Sequence, residues 1–137
     1  MKISVEANPT QADKDAVLAL LNAHNGRFGI EWEQRPLAVF AKDEDGKVIG
    51  GLSGYTLWNW LKIEILAVSP DIRTKGLGRS LIEQAENEAR SRGCQFSFLD
   101  TFSFQARPFY ERLGYKLYGE LPDFPTGHFR YFMTKTL

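Results

Sequence analysis

Residues 60–92 read WLKIEILAVSPDIRTKGLGRSLIEQAENEARSR, and this stretch decides the fold. Residues 61–68 form an apolar run of strand length, and Ser69-Pro70-Asp71 turns the chain after it. Leu77, Leu81, Ile82, Ala85 and Ala89 then recur at helical spacing, which predicts a helix over 76–92 with one buried stripe and Gly93 as its stop. Between strand and helix lies the loop Arg73-Thr74-Lys75-Gly76-Leu77-Gly78. N–H groups of a first helical turn have no intrahelical acceptor, and the helix dipole is positive there. Glycines keep side chains clear of those amides. The stretch therefore predicts a phosphate or pyrophosphate cradle, with Arg73, Lys75 and Arg79 adding charge around it.

Upstream, residues 2–7 (KISVEA) alternate as a short strand would, and Asn8-Pro9 ends them. Thr10 and Asp13 resemble a capping arrangement, and Ala16, Val17, Leu20 and Leu21 predict a helix over 11–25 that Gly26 stops. Residues 27–36 lose periodicity and read as a loop or a short irregular helix. Residues 37–42 and 47–57 predict a hairpin about Asp43-Glu44-Asp45-Gly46. Gly50, Gly51 and Gly54 in its second strand point to close backbone approach or bends. Downstream come a strand over 95–102, a short helix over 105–113 and closing strands over 115–120 and 129–137. The order predicts an α/β fold: a mixed, mostly antiparallel sheet with helices on both faces. The two strands flanking the 76–92 helix run parallel through a right-handed crossover.

At 137 residues, with 43% hydrophobic and 25% charged content, the chain is expected to be a single domain over 1–137. Seventeen basic and seventeen acidic side chains balance, which argues against a general nucleic-acid binder. One cysteine, Cys94, forms no internal disulfide, and it reads as a small buried residue. Two histidines and one cysteine without ligand spacing give no metal site. No signal-peptide or membrane-spanning pattern is present, so the expectation is a cytoplasmic protein without a membrane partner.

Two blocks together resemble a known family. Arg73, Gly76 and Gly78 fill the Arg/Gln-x-x-Gly-x-Gly/Ala loop of the GNAT N-acetyltransferases, between a strand and an amphipathic helix as in that family. Some thirty residues on, Ala106-Arg107-Pro108-Phe109-Tyr110-Glu111-Arg112-Leu113-Gly114-Tyr115 is similar to the family's A-x-x-F-Y-x-x-x-G-F/Y segment. Residues 99–105 also look like a bacterial, small-molecule-type subgroup, with Gln105 where many relatives carry Asn. The resemblance implies a sheet whose central parallel strands splay, with acetyl-CoA in the gap. Backbone groups of Leu66, Ala67 and Val68 would hold the pantetheine arm. Arg73, Thr74, Lys75, Gly76, Leu77, Gly78, Arg79 and Ser80 would hold the pyrophosphate, with Gln105 and Phe109 beside the cofactor. The implied reaction is direct acetyl transfer to the primary amine of a small molecule. Acetylation of a protein N-terminus or lysine, and a non-catalytic acyl-CoA-binding domain, remain as alternatives. A P-loop is disfavoured, because Gly-x-x-x-x-Gly-Lys-Ser/Thr is absent.

Amide formation from a thioester needs a neutral amine, a stabilised oxyanion and help for the departing thiolate. Tyr110 occupies the family position whose phenol faces the CoA sulfur, which makes it the candidate acid. Glu64, an acidic residue inside an apolar strand, is the candidate base. Alternation puts it on one side with Trp60, Lys62 and Leu66 and puts Ile63 and Ile65 on the other. Asp100 is a reserve base. Polarising the thioester carbonyl from backbone N–H groups near Leu66 and Ala67 requires a bulge in this strand. His24 is expected to serve the C-terminus of the first helix, and His128 has a possible substrate-side place. Trp32, Trp58 and Trp60 fit an acceptor pocket, a homodimer contact or packing on the sheet edge equally well.

Overall fold

The computed structural model describes residues 1–72 and 76–137; Arg73, Thr74 and Lys75, three of the predicted cradle residues, lie outside them. The chain divides into two compact units, Met1–Trp32 and Glu33–Leu137.

In the first unit, α1 spans Gln11–Asn25 and starts where Thr10 Oγ1 accepts a hydrogen bond from the Asp13 N–H at 3.1 Å. A single 3₁₀ turn, Gly26–Phe28, follows. Residues 2–7 do not form the predicted strand. A strand needs a ladder partner for its N–H and C=O groups, and no described strand pairs with these residues. The His24 imidazole packs edge-on to Phe28, with ring centroids 5.7 Å apart, and makes no hydrogen bond to a described carbonyl at the helix end.

The second unit holds a six-stranded sheet, order β1-β2-β3-β4-β6-β5, with β1 Gln34–Lys42, β2 Val48–Leu57, β3 Trp60–Val68, β4 Phe96–Phe102, β5 Lys116–Pro122 and β6 Phe129–Thr136. β3 and β4 are parallel and the other neighbours antiparallel. β1 starts within the segment predicted to be a loop and includes Pro36; as an edge strand it can leave one N–H position unpaired. α2, Leu77–Ser91, makes the crossover, and α3, Arg107–Arg112, lies between β4 and β5.

Leu81, Ile82, Ala85 and Ala89 of α2 pack with Leu52, Leu61, Ile63, Leu99, Met133, Tyr110 and Tyr115 in one core between α2, α3 and a single face of the sheet. Four residues of the predicted stripe are thus buried, Leu77 is partly buried against the same core, and the stripe has an addition. Glu86 is 3% exposed and pairs with Lys135 Nζ at 2.7 Å, tying α2 to β6. Nearby, Ser97 Oγ and Tyr115 Oη share a 2.8 Å hydrogen bond. At the far end of α2, Arg92 Nη1 donates to Pro36 O and Thr56 Oγ1, each at 3.1 Å, fastening the helix to β1 and β2. Gly93 N–H to Arg90 O and Cys94 N–H to Ala89 O then close the helix, as its sequence predicts. Cys94 is buried.

Candidate active site

β3 and β4 pair over only three residues: Trp60 with Phe96, Leu61 with Ser97 and Lys62 with Phe98. Beyond Lys62 the β4-facing edge of β3 has no ladder partner among the described residues, although both strands continue. That opening is the splayed gap the sequence resemblance implies.

A bulge shapes the edge of β3 that faces it. Gly54 pairs with Ile63 and Ser53 with Ile65, so Glu64 is an extra residue on β3. The extra residue reverses the alternation. Leu66 and Val68 pack on the core with Leu61 and Ile63, whereas Ile65 is 63% exposed on the other face. The predicted grouping of Leu66 with Trp60 and Lys62 is therefore corrected by one residue of register. Gly54 makes room for the bulge: a Cβ there would fall on the Lys62 carbonyl oxygen and lie 3.2 Å from Ile63 Cα.

α2 begins at the end of the gap. Gly76 is its N-cap with φ 88°, and a side chain at this position would meet nothing within 4 Å. The first intrahelical bond of this turn is Ser80 N–H to Gly76 O at 2.9 Å, so the N–H groups of Leu77, Gly78 and Arg79 have no intrahelical acceptor. Gly78 has a different reason to be small. A Cβ on it would stand 3.3 Å from Phe109 Cζ, so the ring of Phe109 rests on the start of α2. The Arg79 side chain is taken by Glu83 at 2.7 Å along the helix rather than being held at its N-terminus.

The same contact brings the two sequence blocks together, because Tyr110 follows Phe109 on α3. Tyr110 is 8% exposed, and its hydroxyl makes no hydrogen bond to a described residue. Burial raises the pKa of the phenol above its ordinary value, so it is protonated throughout the neutral range. The Gln105 side-chain oxygen accepts from the Phe102 N–H at 3.0 Å and from the Thr101 hydroxyl at 3.2 Å, which closes the end of β4.

Glu64 is exposed at the bulge, without an ion-pair or hydrogen-bond partner among the described residues. Asp100 is not free to act as a base. Burial alone would raise its pKa, but hydrogen bonds and charge from Lys62 (3.0 Å) and Arg130 (2.7 Å) outweigh this and hold its carboxyl below the usual range. Sequence reading missed both cations; the signal was a lysine two residues before Glu64 in an otherwise apolar strand. His128 Nδ1 lies 3.1 Å from Ser103 Oγ at the C-terminal end of β4. Trp60 stacks on Phe96 with ring centroids 4.7 Å apart. With Leu57, Trp58, Phe98, Tyr118 and Thr134 it lines an apolar cavity of about 560 Å³ where β3 and β4 are still paired. Among the described residues no three His, Cys, Asp or Glu side chains converge to hold a metal, and no described helix is long and apolar enough to cross a membrane.

The acetyltransferase (GNAT) family matches residues 8–115. The chain belongs to this family. As a GNAT acetyltransferase it is similar to the blasticidin-S acetyltransferase of Streptomyces morookaense, 42% identical over 109 residues that cover 77% of this chain and 80% of the relative. It is 38% identical to an acetyltransferase of Agrobacterium fabrum over 120 residues, 85% of this chain and 87% of that one. The crystal structure of an acetyltransferase from Bacillus cereus superposes with a TM-score of 0.87 at 31% identity, covering 98% of both chains. The mixed sheet and the N-acetyltransferase class expected from the sequence both stand on these findings.

Proposed function

We propose that this acetyltransferase moves the acetyl group of acetyl-CoA to the primary amine of a small molecule, by direct attack within a ternary complex. The Phe109–Gly78 contact carries the reading, because it sets the helix bearing Tyr110 against the start of the helix proposed to bind pyrophosphate. The unpaired amides of Leu77, Gly78 and Arg79, with Gly76 and Ser80 beside them, receive the pyrophosphate. The loop residues Arg73, Thr74 and Lys75 join this group by sequence alone. Leu66, Ala67 and Val68 offer backbone groups to the pantetheine arm along the unpaired edge of β3, and N–H groups released by the bulge polarise the thioester carbonyl. Gln105 holds the end of β4 next to this arm and Phe109 packs at its pyrophosphate end.

Glu64 takes a proton from the ammonium form of the acceptor, directly or through water. The amine nitrogen then bonds to the acetyl carbon, the C–S bond breaks, and the Tyr110 hydroxyl donates to the departing sulfur; the second proton, lost by the nitrogen as it becomes an amide, returns to the Tyr110 phenolate through water. A small-molecule acceptor is supported by the 42% identity to a blasticidin-S acetyltransferase. The family match spans parts of both compact units, which supports reading residues 1–137 as one acetyltransferase domain.

CoA release from acetyl-CoA, measured over a panel of small amines, peptides with free N-termini and lysine peptides, tests the proposal. Turnover of small amines is expected. Turnover confined to peptides would overturn the acceptor class, and tight acetyl-CoA binding with no turnover on any amine would overturn transfer itself.

A further inference from the structure

Lys62 of β3, Asp100 of β4 and Arg130 of β6 meet on the sheet face that α2 and α3 leave uncovered. Lys62 Nζ reaches Asp100 Oδ1 at 3.0 Å where the two parallel strands part. Arg130 places Nη2 at 2.7 Å and Nε at 2.8 Å from Asp100 Oδ2. Two cations share one carboxylate, so the cluster carries one excess positive charge. It is also partly desolvated: the side chains of Lys62, Asp100 and Arg130 are 17%, 17% and 30% exposed. Aromatic rings make up much of its surroundings. Lys62 Nζ sits 4.8 Å from the Phe98 ring centroid, and the Arg130 guanidinium lies 5.6 Å from Phe102, 5.1 Å from Phe124 and 5.3 Å from Phe132.

Ring faces offset only part of such a charge. Among the described residues no second carboxylate pairs with either cation. An ammonium has three donors and a guanidinium five, so hydrogens remain on both groups after Asp100 is satisfied. Asp100 itself serves to hold the two donors in place, and a bidentate or tetrahedral oxyanion is the ligand that such a pair of cations recognises.

We infer that the acceptor carries, besides its amine, a second and anionic group, a carboxylate or a phosphate, which Lys62 and Arg130 receive beside the splayed gap. This rests on the acetyl-transfer reading above and narrows its acceptor class. The neighbouring Phe102 and Phe124 rings favour an acceptor with an apolar segment between its two ends. The cluster selects by charge, and its effect weakens as salt rises.

The test uses the full chain with acetyl-CoA and three matched series: ω-amino carboxylates, aminoalkyl phosphates and amino alcohols of equal chain length. For at least one anionic series, kcat/KM is expected to exceed that of the matched amino alcohols by tenfold or more; which series leads tells carboxylate from phosphate. Arg130→Gln and Lys62→Met should bring that ratio towards one through KM, whereas Arg130→Lys should retain most of it. Amino alcohols used as well as both anionic series, or a preference unaltered in natively folded Arg130→Gln and Lys62→Met proteins, would overturn the inference. A binding arm separates it from the underlying reading. Glutarate and inorganic phosphate are titrated calorimetrically into protein saturated with CoA. Salt-sensitive binding that Arg130→Gln abolishes supports the anion site even if no amine turns over, an outcome that counts against acetyl transfer alone. Failure of wild-type protein to bind either anion overturns the site.

Discussion

Gly54 lies against the Lys62 carbonyl across the β2–β3 ladder, beside the position where Glu64 is left without an opposite residue. The missing side chain and the extra residue are two halves of one device. β3 can bulge towards β2 because nothing projects from Gly54, and the bulge then turns the backbone of Leu66, Ala67 and Val68 relative to the first half of the strand. Gly54→Ala forces this contact apart. A cost of about 1–3 kcal/mol in stability is expected, as for other small-to-large changes in packed sites. Denaturant melts check the stability. In the proposed mechanism kcat falls further than the loss of folded protein explains, because the carbonyl-polarising N–H groups move with the bulge. Wild-type kcat in a folded Gly54→Ala enzyme would refute that link.

Tyr110→Phe separates packing from chemistry. Its ring can fill the same core position, so the thermal midpoint should stay close to wild type while kcat drops by roughly 10²-fold or more. Burial raises the phenol's pKa, so any loss of wild-type activity from Tyr110 ionisation lies above pH 10, the ordinary tyrosine value. A pH–rate profile checks the sign: an alkaline limb below that value must belong to another group.

Gly76→Ala addresses the helix start. With φ at 88°, an L side chain costs about 1–2 kcal/mol in the left-handed region even though space is open around it. The expected signature is a raised KM for acetyl-CoA with a smaller change in the KM for the amine, read from initial rates with each substrate varied in turn.

The parts of this protein that were legible in sequence are those with a repeating signal. The α2 stripe, the Thr10 cap, the Gly93 stop and the strand-helix-strand crossover all follow from spacing that local chemistry enforces. The bulge was legible only as a requirement, since one extra residue leaves no periodic trace in so short a strand. For the same reason strict alternation puts Leu66 on the wrong face. Glu86 lies within an otherwise apolar helical stripe, and nothing near it in sequence announces Lys135, its partner from β6. The Lys62–Asp100–Arg130 cluster is similarly invisible: its members come from three strands and meet only because the β3–β4 and β4–β6 registers align them. Residues 2–7 show the converse error, because alternation is a property of a strand but not sufficient for one.

Asp100→Asn tests whether the cluster is held together by its carboxylate. The Asp100 pKa is lowered in the folded chain, with the donors Lys62 and Arg130 outweighing the opposing effect of burial. A depressed carboxyl contributes stability that is fully present above its unfolded pKa, about 4, and is lost as pH falls through the folded value. At pH 7 the variant leaves two partly buried cations facing a neutral amide, and a loss of about 1–3 kcal/mol is expected from the charged hydrogen bonds removed. The difference between wild type and variant should hold from pH 7 down to about pH 5 and narrow below pH 4, where the wild-type carboxyl begins to take up its proton. Urea melts of both proteins at pH 7, 5 and 3 give the comparison. A difference that grows towards pH 3 would mean the carboxyl is raised rather than depressed, so that burial outweighs its two cations.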